Sequence, residues 1–175
     1  MPHTIRTERL LLRPPVPRDA RAAARVLNDW AVVKETESWG YPVSEERTRW
    51  RFAQHARQPL SEGAFFVMVA EEGLIGTIGL HRRVGTTYGL SYMTGRASWG
   101  RGYVTEAARA LCAFGFDAME AGLIQADVFQ DNPASSRVLE KVGFRYARDP
   151  GPGWSATREG YFPRHEYELT RQDLT

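Results

Sequence analysis

SWGRGYVTEA, residues 98–107, is the stretch on which the reading of this chain turns. Gly100 and Gly102, with Arg101 between them, stand directly before the longest helix-patterned segment. A helix N-terminus carries unpaired N–H groups and a partial positive charge, and glycine lets that backbone come close to a bulky anion. The chemistry this suits is binding of a phosphate or pyrophosphate. A glycine pair by itself also fits a loop that only needs positive φ. Two other nucleotide motifs are excluded. No Gly-Lys-Ser/Thr occurs, and the third glycine of a dinucleotide fingerprint would fall at Thr105.

Downstream of the turn, Val104, Ala107, Ala108, Leu111, Gly115 and Ala118 recur at three- and four-residue spacing, one apolar helical stripe. Upstream, residues 87–93 read as a strand in which Gly89 predicts a bulge. Before it, residues 65–70 and 74–80 read as strands joined by a tight turn at Glu71-Glu72-Gly73. Residues 10–13 form a short strand ended by Pro14 and Pro15. Asp19 then stands where a helix cap is expected, ahead of a helix to about residue 28. Ser44-Glu45-Glu46 opens a second helix that runs toward Pro59. Residues 125–129 are a further strand, 133–142 a helix with Pro133 in its first turn and Gly143 after its end, and 164–169 a closing strand. Strands, helices and strands in that order predict an α/β (α+β) fold with a mixed sheet flanked by helices.

Composition bounds the function. The 175 residues carry 23 basic and 21 acidic side chains, a net charge of +2, too small an excess for a dedicated nucleic-acid binder. One cysteine, Cys112, excludes an intramolecular disulfide framework and a multi-cysteine zinc site, and its place beside the helical stripe predicts a small buried hydrophobe. His55, His81 and His165 have no metal-ligand spacing, so no metal is expected. Without a long apolar run or a signal-peptide pattern, the expectation is one cytoplasmic domain, residues 1–175, with no membrane or nucleic-acid partner. Arg6, Arg9 and Arg13 read as surface charges.

The second informative stretch is DNPASSRVLEKVGF, residues 131–144. Asn132 and Ser135 lie between a strand end and a helix start, where small polar side chains either cap the helix or face a ligand. Val138, Leu139 and Val142 form the expected buried face of that helix, and Arg137, Glu140 and Lys141 its wet face.

Taken together, TERLLLRP, GLIGTIGL, LSYM, WGRGYVTEA and NPASSRVLEKVGF resemble, in order and spacing, the GNAT superfamily of N-acetyltransferases. Within it they resemble the ribosomal-protein N-terminal (Rim-type) branch. The resemblance implies a splayed mixed sheet with acetyl-coenzyme A wedged between two strands. It implies a pyrophosphate on the amides around Trp99, Gly100, Arg101, Gly102, Tyr103, Val104 and Thr105. It implies a pantetheine arm paired with backbone at Tyr92, Met93 and Thr94, and Asn132 and Ser135 beside that arm and the sulfur. Homodimers across sheet edges occur in such relatives.

Departures from the family pattern matter. Its Gln/Arg-x-x-Gly-x-Gly begins here at Ala97, with Arg96 one residue off. The position of its frequent general-acid tyrosine, seven after the asparagine, is Leu139. Gly89, Leu90 and Ser91 supply no acid for its usual strand base. Ser135 inherits the proton-donor or thiolate-stabilising role, and a water relay or Glu166 the role of base.

The implied reaction is attack of a neutral primary amine on the thioester in a ternary complex. An α-amine of pKa near 7.8 is about a tenth neutral at pH 7, whereas a lysine amine near 10.4 is neutral in about one molecule in a few thousand. A site without an evident strong base therefore favours a peptide N-terminus or a small-molecule amine. Trp39 and Tyr41, in WGYP, read either as an acceptor wall or as plain core. The stretch 149–167 reads as a long loop able to close over the acceptor. The rival reading is a coenzyme A-binding sensor or scaffold that has lost turnover.

Overall fold

The computed structural model describes residues 3–175. A short antiparallel pair, β1 (Ile5–Arg6) and β2 (Leu11–Arg13), leads into three helices, α1 (Asp19–Leu27), α2 (Trp30–Val33) and α3 (Glu45–His55). The meander β3 (Gly63–Ala70), β4 (Gly73–Val84) and β5 (Thr87–Thr94) follows, then a 3-10 turn at Arg96–Ser98 and the long helix α4 (Tyr103–Ala118). Next come β6 (Leu123–Phe129), α5 (Pro133–Val142) and β7 (Arg145–Arg148). A small hairpin, β8 (Gly153–Ser155) with β9 (Gly160–Phe162), precedes β10 (Arg164–Leu169).

Eight strands form one mixed sheet in the order β1-β2-β3-β4-β5-β6-β10-β7. Among the described residues only β5 and β6 pair in parallel, and they do so over Thr87↔Leu123, Tyr88↔Ile124 and Gly89↔Gln125 alone. Beyond Gly89 and Gln125 the two strands continue without pairing, to Thr94 and Phe129. The sheet is splayed open there.

Period-two alternation sorts the side chains onto two faces. Ile78, Leu80, Tyr88, Leu90, Ile124, Ala126 and Val128 pack with Ala107, Ala108, Leu111 and Cys112 of α4 and Leu139 and Val142 of α5. Each fully buried aliphatic side chain there contributes about 1.5–3 kcal/mol. On the other face α1 and α3 bury Ala20, Ala23, Leu27 and Phe52 against Val67 and Met93. Ser44 caps α3 by accepting from the Arg47 N–H at 3.1 Å. Helix α5 starts on Asn132 and Pro133 and ends at Gly143, as its sequence predicts.

Several local expectations are corrected. Asp19 does not cap α1; it lies inside the first turn, where its carboxylate takes both Arg13 Nη1 (2.6 Å) and Nη2 (2.8 Å) and the Val16 N–H. Arg13 is therefore a partner in a half-buried ion pair, and Arg9 likewise pairs with Glu106 at 2.7 Å. Gly89 sits in regular register opposite His81, and the irregularity falls at Arg82/Val84. What requires glycine at 89 is close approach, since a Cβ there would lie 2.5 Å from the His81 ring. Ala118 is exposed at the end of α4. The long 149–167 loop contains the β8–β9 hairpin, and α2, capped by Asp29, was too short to show a period.

Candidate active site

The glycine turn leads into α4 with two left-handed residues, Gly100 (φ +71°) and Gly102 (φ +78°), the second being the helix N-cap. A Cβ at Gly100 would meet nothing within 4 Å, so backbone is presented there without side-chain cover. The helix's own ladder begins with Glu106 N–H to the Gly102 carbonyl at 3.1 Å, which leaves the amides of Tyr103, Val104 and Thr105 as helix-start donors. Arg101 is turned outward, with Nη1 on Glu72 at 2.6 Å and its guanidinium over Tyr103. The anion-binding character of the turn thus rests on backbone and helix dipole more than on that arginine. A groove of about 560 Å³ runs beside the turn, lined by Thr7, Arg9, Gly102, Thr105, Arg109 and Lys141.

The splay brings the two sequence-predicted segments together. On β5, Tyr92 follows Tyr88 and Leu90 on the α4/α5 face, and its phenol oxygen lies 2.7 Å from Ser135 Oγ. Burial pushes the Tyr92 phenol well above its ordinary pKa, only partly opposed by the Ser135 hydrogen bond, so the hydroxyl stays protonated. Asn132 Oδ1 accepts the Ser135 N–H at 3.2 Å, a capping bond that fixes the start of α5. Leu139, at the position of the missing tyrosine, is fully buried core. A tyrosine hydroxyl nonetheless reaches Ser135, delivered by the neighbouring strand. Met93 and Thr94 are buried at the end of β5, and Trp99 Nε1 donates to the Thr94 carbonyl at 3.1 Å.

The opposite face of the splay is polar. Gln125 and Asp127 of β6 stand in register with Glu168 and Glu166 of β10, and Arg83 of β4 reaches across. Arg83 Nη2 meets Asp127 Oδ2 at 2.8 Å, and Nη1 meets Glu166 Oε2 at 3.4 Å. Glu166 Oε1 accepts from Arg148 Nε at 2.7 Å. Both oxygens of Glu166 are thus engaged by guanidinium groups, which argues against it as the base. His81 is exposed, but partial desolvation of its ring against the sheet, reinforced by the Arg83 charge, lowers the imidazole below the ordinary histidine value, so it is neutral at pH 7. Sequence reading had left His81 without a role, because nothing local marks the strand face it occupies.

The hairpin β8–β9 covers part of this polar face. Ser155 Oγ donates to the Lys34 carbonyl (3.1 Å), Ala156 N–H to that of Glu37 (3.1 Å) and Thr157 Oγ1 to that of Trp39 (2.8 Å). Trp39 is half-buried against Val33 and Val43, under the Arg51 guanidinium, and borders a separate cavity of about 200 Å³. Tyr41 is exposed. Cys112 is buried, and burial raises its thiol pKa, which suits packing and not nucleophilic chemistry. Among the described residues no cluster of His, Cys, Asp or Glu could hold a metal ion, and no helix is long and apolar enough to cross a membrane.

Residues 9–145 match the acetyltransferase (GNAT) domain family. The chain therefore belongs to that family, and it is an acetyl-coenzyme A-dependent N-acetyltransferase. It is 27% identical over 161 residues to the N-acetyltransferase YnaD of Bacillus subtilis (strain 168), covering 91% of this chain and 86% of YnaD. A shorter match, 41% identical over 63 residues, spans 36% of this chain and 37% of YkkB from the same organism. An acetyltransferase (GNAT family) structure from Bacillus anthracis superposes with a TM-score of 0.78 at 26% identity, over 97% of this chain and 99% of that one. RimL, a ribosomal L7/L12 α-N-protein acetyltransferase in complex with coenzyme A, shares the fold with a TM-score of 0.83 at 16% identity, over 96% and 98% of the chains. The sensor alternative is not favoured by these likenesses. The splay, the bare backbone at Gly100 and the free amides of the first α4 turn fit acetyl-coenzyme A.

Proposed function

We propose that this protein acetylates a primary amine, a peptide N-terminus or a small-molecule amine, by direct attack within a ternary complex. The observation that carries the reading is the junction of the β5/β6 splay with the Tyr92–Ser135 hydroxyl pair. Bound acetyl-coenzyme A supplies its acetyl group as a thioester and departs as the thiol. The amides that follow Trp99, through Thr105, hold its pyrophosphate, that of Trp99 itself being bonded to the Arg96 carbonyl at 3.1 Å, and the unpaired edge of β5 at Tyr92, Met93 and Thr94 aligns its pantetheine arm. Asn132 fixes the start of α5 so that Ser135 points to Tyr92. Ser135 and the neutral Tyr92 phenol then donate toward the sulfur as the C–S bond breaks.

On the polar face, His81 is the neutral proton acceptor. It takes a proton from the amine, directly or through a water, as nitrogen bonds to the acetyl carbon. The nitrogen gives up the proton that amide formation releases, and the departing sulfur ends protonated. Trp39 and Tyr41 stand on the same side as the acceptor, Trp39 as a packed wall. The Rim-like fold agrees with an N-terminal acceptor, as does the scarcity of free acids on this face. The test is release of free thiol from acetyl-coenzyme A in the presence of peptides, small α-amines and lysine side-chain amines. Faster turnover of α-amines than of lysine amines is expected. Faster lysine acetylation would refute the acceptor class, and tight cofactor binding without amine-dependent thiol release would refute transfer.

A further inference from the structure

Among the described residues, four buried side-chain atoms have no hydrogen-bond partner: Glu35 Oε2, Asp127 Oδ1, and Arg158 Nε and Nη2. Buried polar atoms are rarely left so, and an unmet one commonly marks a place where a ligand or water belongs. Three of the four belong to Asp127, on the polar face of the sheet, and Arg158, in the turn of the hairpin packed over it. The fourth, on Glu35, adjoins Lys34, whose carbonyl anchors the β8–β9 hairpin.

Arg158 is the unusual one. Its side chain is 8% exposed, its Cζ stacks 3.8 Å from the Phe162 ring and 4.3 Å from the Phe129 ring, and Nη1 binds Asp131 at 2.7 Å. Nε–H and Nη2–H are the two parallel donors of the side-on fork, the edge with which arginine takes a carboxylate bidentately. Both are unmet. A guanidinium held this deep, on two aromatic faces, keeps its demand for an acceptor.

Asp127 presents the complementary half. Its Oδ2 is taken by Arg83 at 2.8 Å and Arg164 at 3.3 Å, and only Oδ1 is free. Asp127 and Phe129 are two apart on β6 and share one face, so they stand about 6.5–7 Å from each other along the strand. Arg158 lies over Phe129. The free carboxylate oxygen and the free guanidinium fork therefore lie over the same face of β6, about one two-residue repeat apart along the strand. An α-amino acid, whose nitrogen and carboxyl carbon are about 2.5 Å apart and each of whose ends reaches about 2.8 Å to its partner, spans such a pair.

We infer that the acceptor is a free α-amino acid, its amino group held at Asp127 Oδ1 and its carboxylate in the Arg158 fork. The inference rests on the transfer reading above and narrows it from amines in general. The hairpin that carries Arg158 is tied to residues 34–39 by three hydrogen bonds, so entry to the fork requires it to lift and binding closes it again.

The experiment compares the twenty free α-amino acids with their α-carboxamides. Thiol release from acetyl-coenzyme A is measured for each. At least one free acid is expected to exceed its amide at least tenfold in kcat/KM. In Arg158→Lys, which keeps the charge and removes the fork, that ratio falls to about one. Arg158→Gln does the same, and unchanged coenzyme A affinity checks that both variants are folded. Equal use of acids and amides by the unaltered protein, or a preference that survives both substitutions, overturns the inference. Binding of the amino acids to the coenzyme A-bound protein is measured by calorimetry in parallel. If no amine is acetylated, carboxylate-dependent binding lost in Arg158→Lys supports the subsite while the transfer reading fails; absence of such binding overturns the subsite itself.

Discussion

The two faces of the splayed sheet are built on opposite principles. The face under α4 and α5 is apolar from Ile78 to Val128, broken in its middle by one hydroxyl pair, Tyr92 and Ser135. The face toward the β8–β9 hairpin is a lattice of charges in which Arg83, Asp127, Glu166, Arg148 and Arg164 are joined across four strands. The first face stabilises the fold by excluding water and leaves a single polar contact where the cofactor sulfur is proposed to lie. The second uses paired charges to hold side chains in place, with a few buried atoms left unpaired. Side-chain removal should therefore act on stability for the first face, its hydroxyl pair excepted, and on chemistry for the second.

Leu111→Ala tests the apolar side most severely. The side chain is fully buried, and its truncation is expected to cost about 2–5 kcal/mol in denaturant-induced unfolding. Tyr92→Phe removes only an oxygen from the same face. About a hundredfold loss of kcat with unchanged coenzyme A affinity is expected if the hydroxyl donates toward sulfur, as general acids typically contribute at least that much.

His81→Ala probes the charged side. The imidazole is neutral at pH 7 because its pKa lies below the ordinary value, so activity should fall as pH drops through that lowered value and the ring becomes protonated. The variant should lose about tenfold to a hundredfold in kcat together with this acidic limb of the pH–rate profile. Retention of the limb would assign the base elsewhere.

Gly100→Val lies at the mouth of the splay. A β-branched residue forced to φ +71° is strained by about 1–2 kcal/mol, and its side chain enters the open space that the phosphate would occupy. About a tenfold weaker coenzyme A affinity is expected by calorimetry, and undiminished affinity in a folded variant would remove the phosphate assignment.

The smallest effect belongs to Asp19, remote from both faces of the splay. Burial acts to raise its pKa, but the Arg13 pair and the Val16 N–H outweigh it, so the folded value lies below the ordinary carboxylate one. Its contribution to stability is present above about pH 4 and is lost as pH falls through the folded value. Asp19→Asn should destabilise by about 1 kcal/mol at pH 7. The gap from the unaltered protein should close as pH falls through that folded value.

The proposed cofactor half of the site was legible because its signals are local. Gly100, Gly102 and the α4 stripe lie within twenty residues, and Asn132, Pro133 and Gly143 bracket α5 by ordinary capping chemistry. Leu139 misled by itself: the absent tyrosine suggested a site lacking a hydroxyl beyond Ser135, whereas Tyr92 supplies one from 43 residues away. The charged face was illegible for the same reason in stronger form. Arg83 and Glu166 are 83 residues apart, and neither the strand register nor the face they share is written near either one. The short α2 and the β8–β9 hairpin fell below the length at which periodicity speaks.

By itself, then, the sequence determined the mixed α/β architecture, the anion-ready turn before α4 and the family to which these belong, since capping, glycine geometry and hydrophobic period act over a few residues. Tertiary structure decided which hydroxyls meet, which carboxylates are neutralised and which buried donors stay unmet. Those outcomes depend on strand order and register, and on the desolvation that arises only when distant segments close over one another.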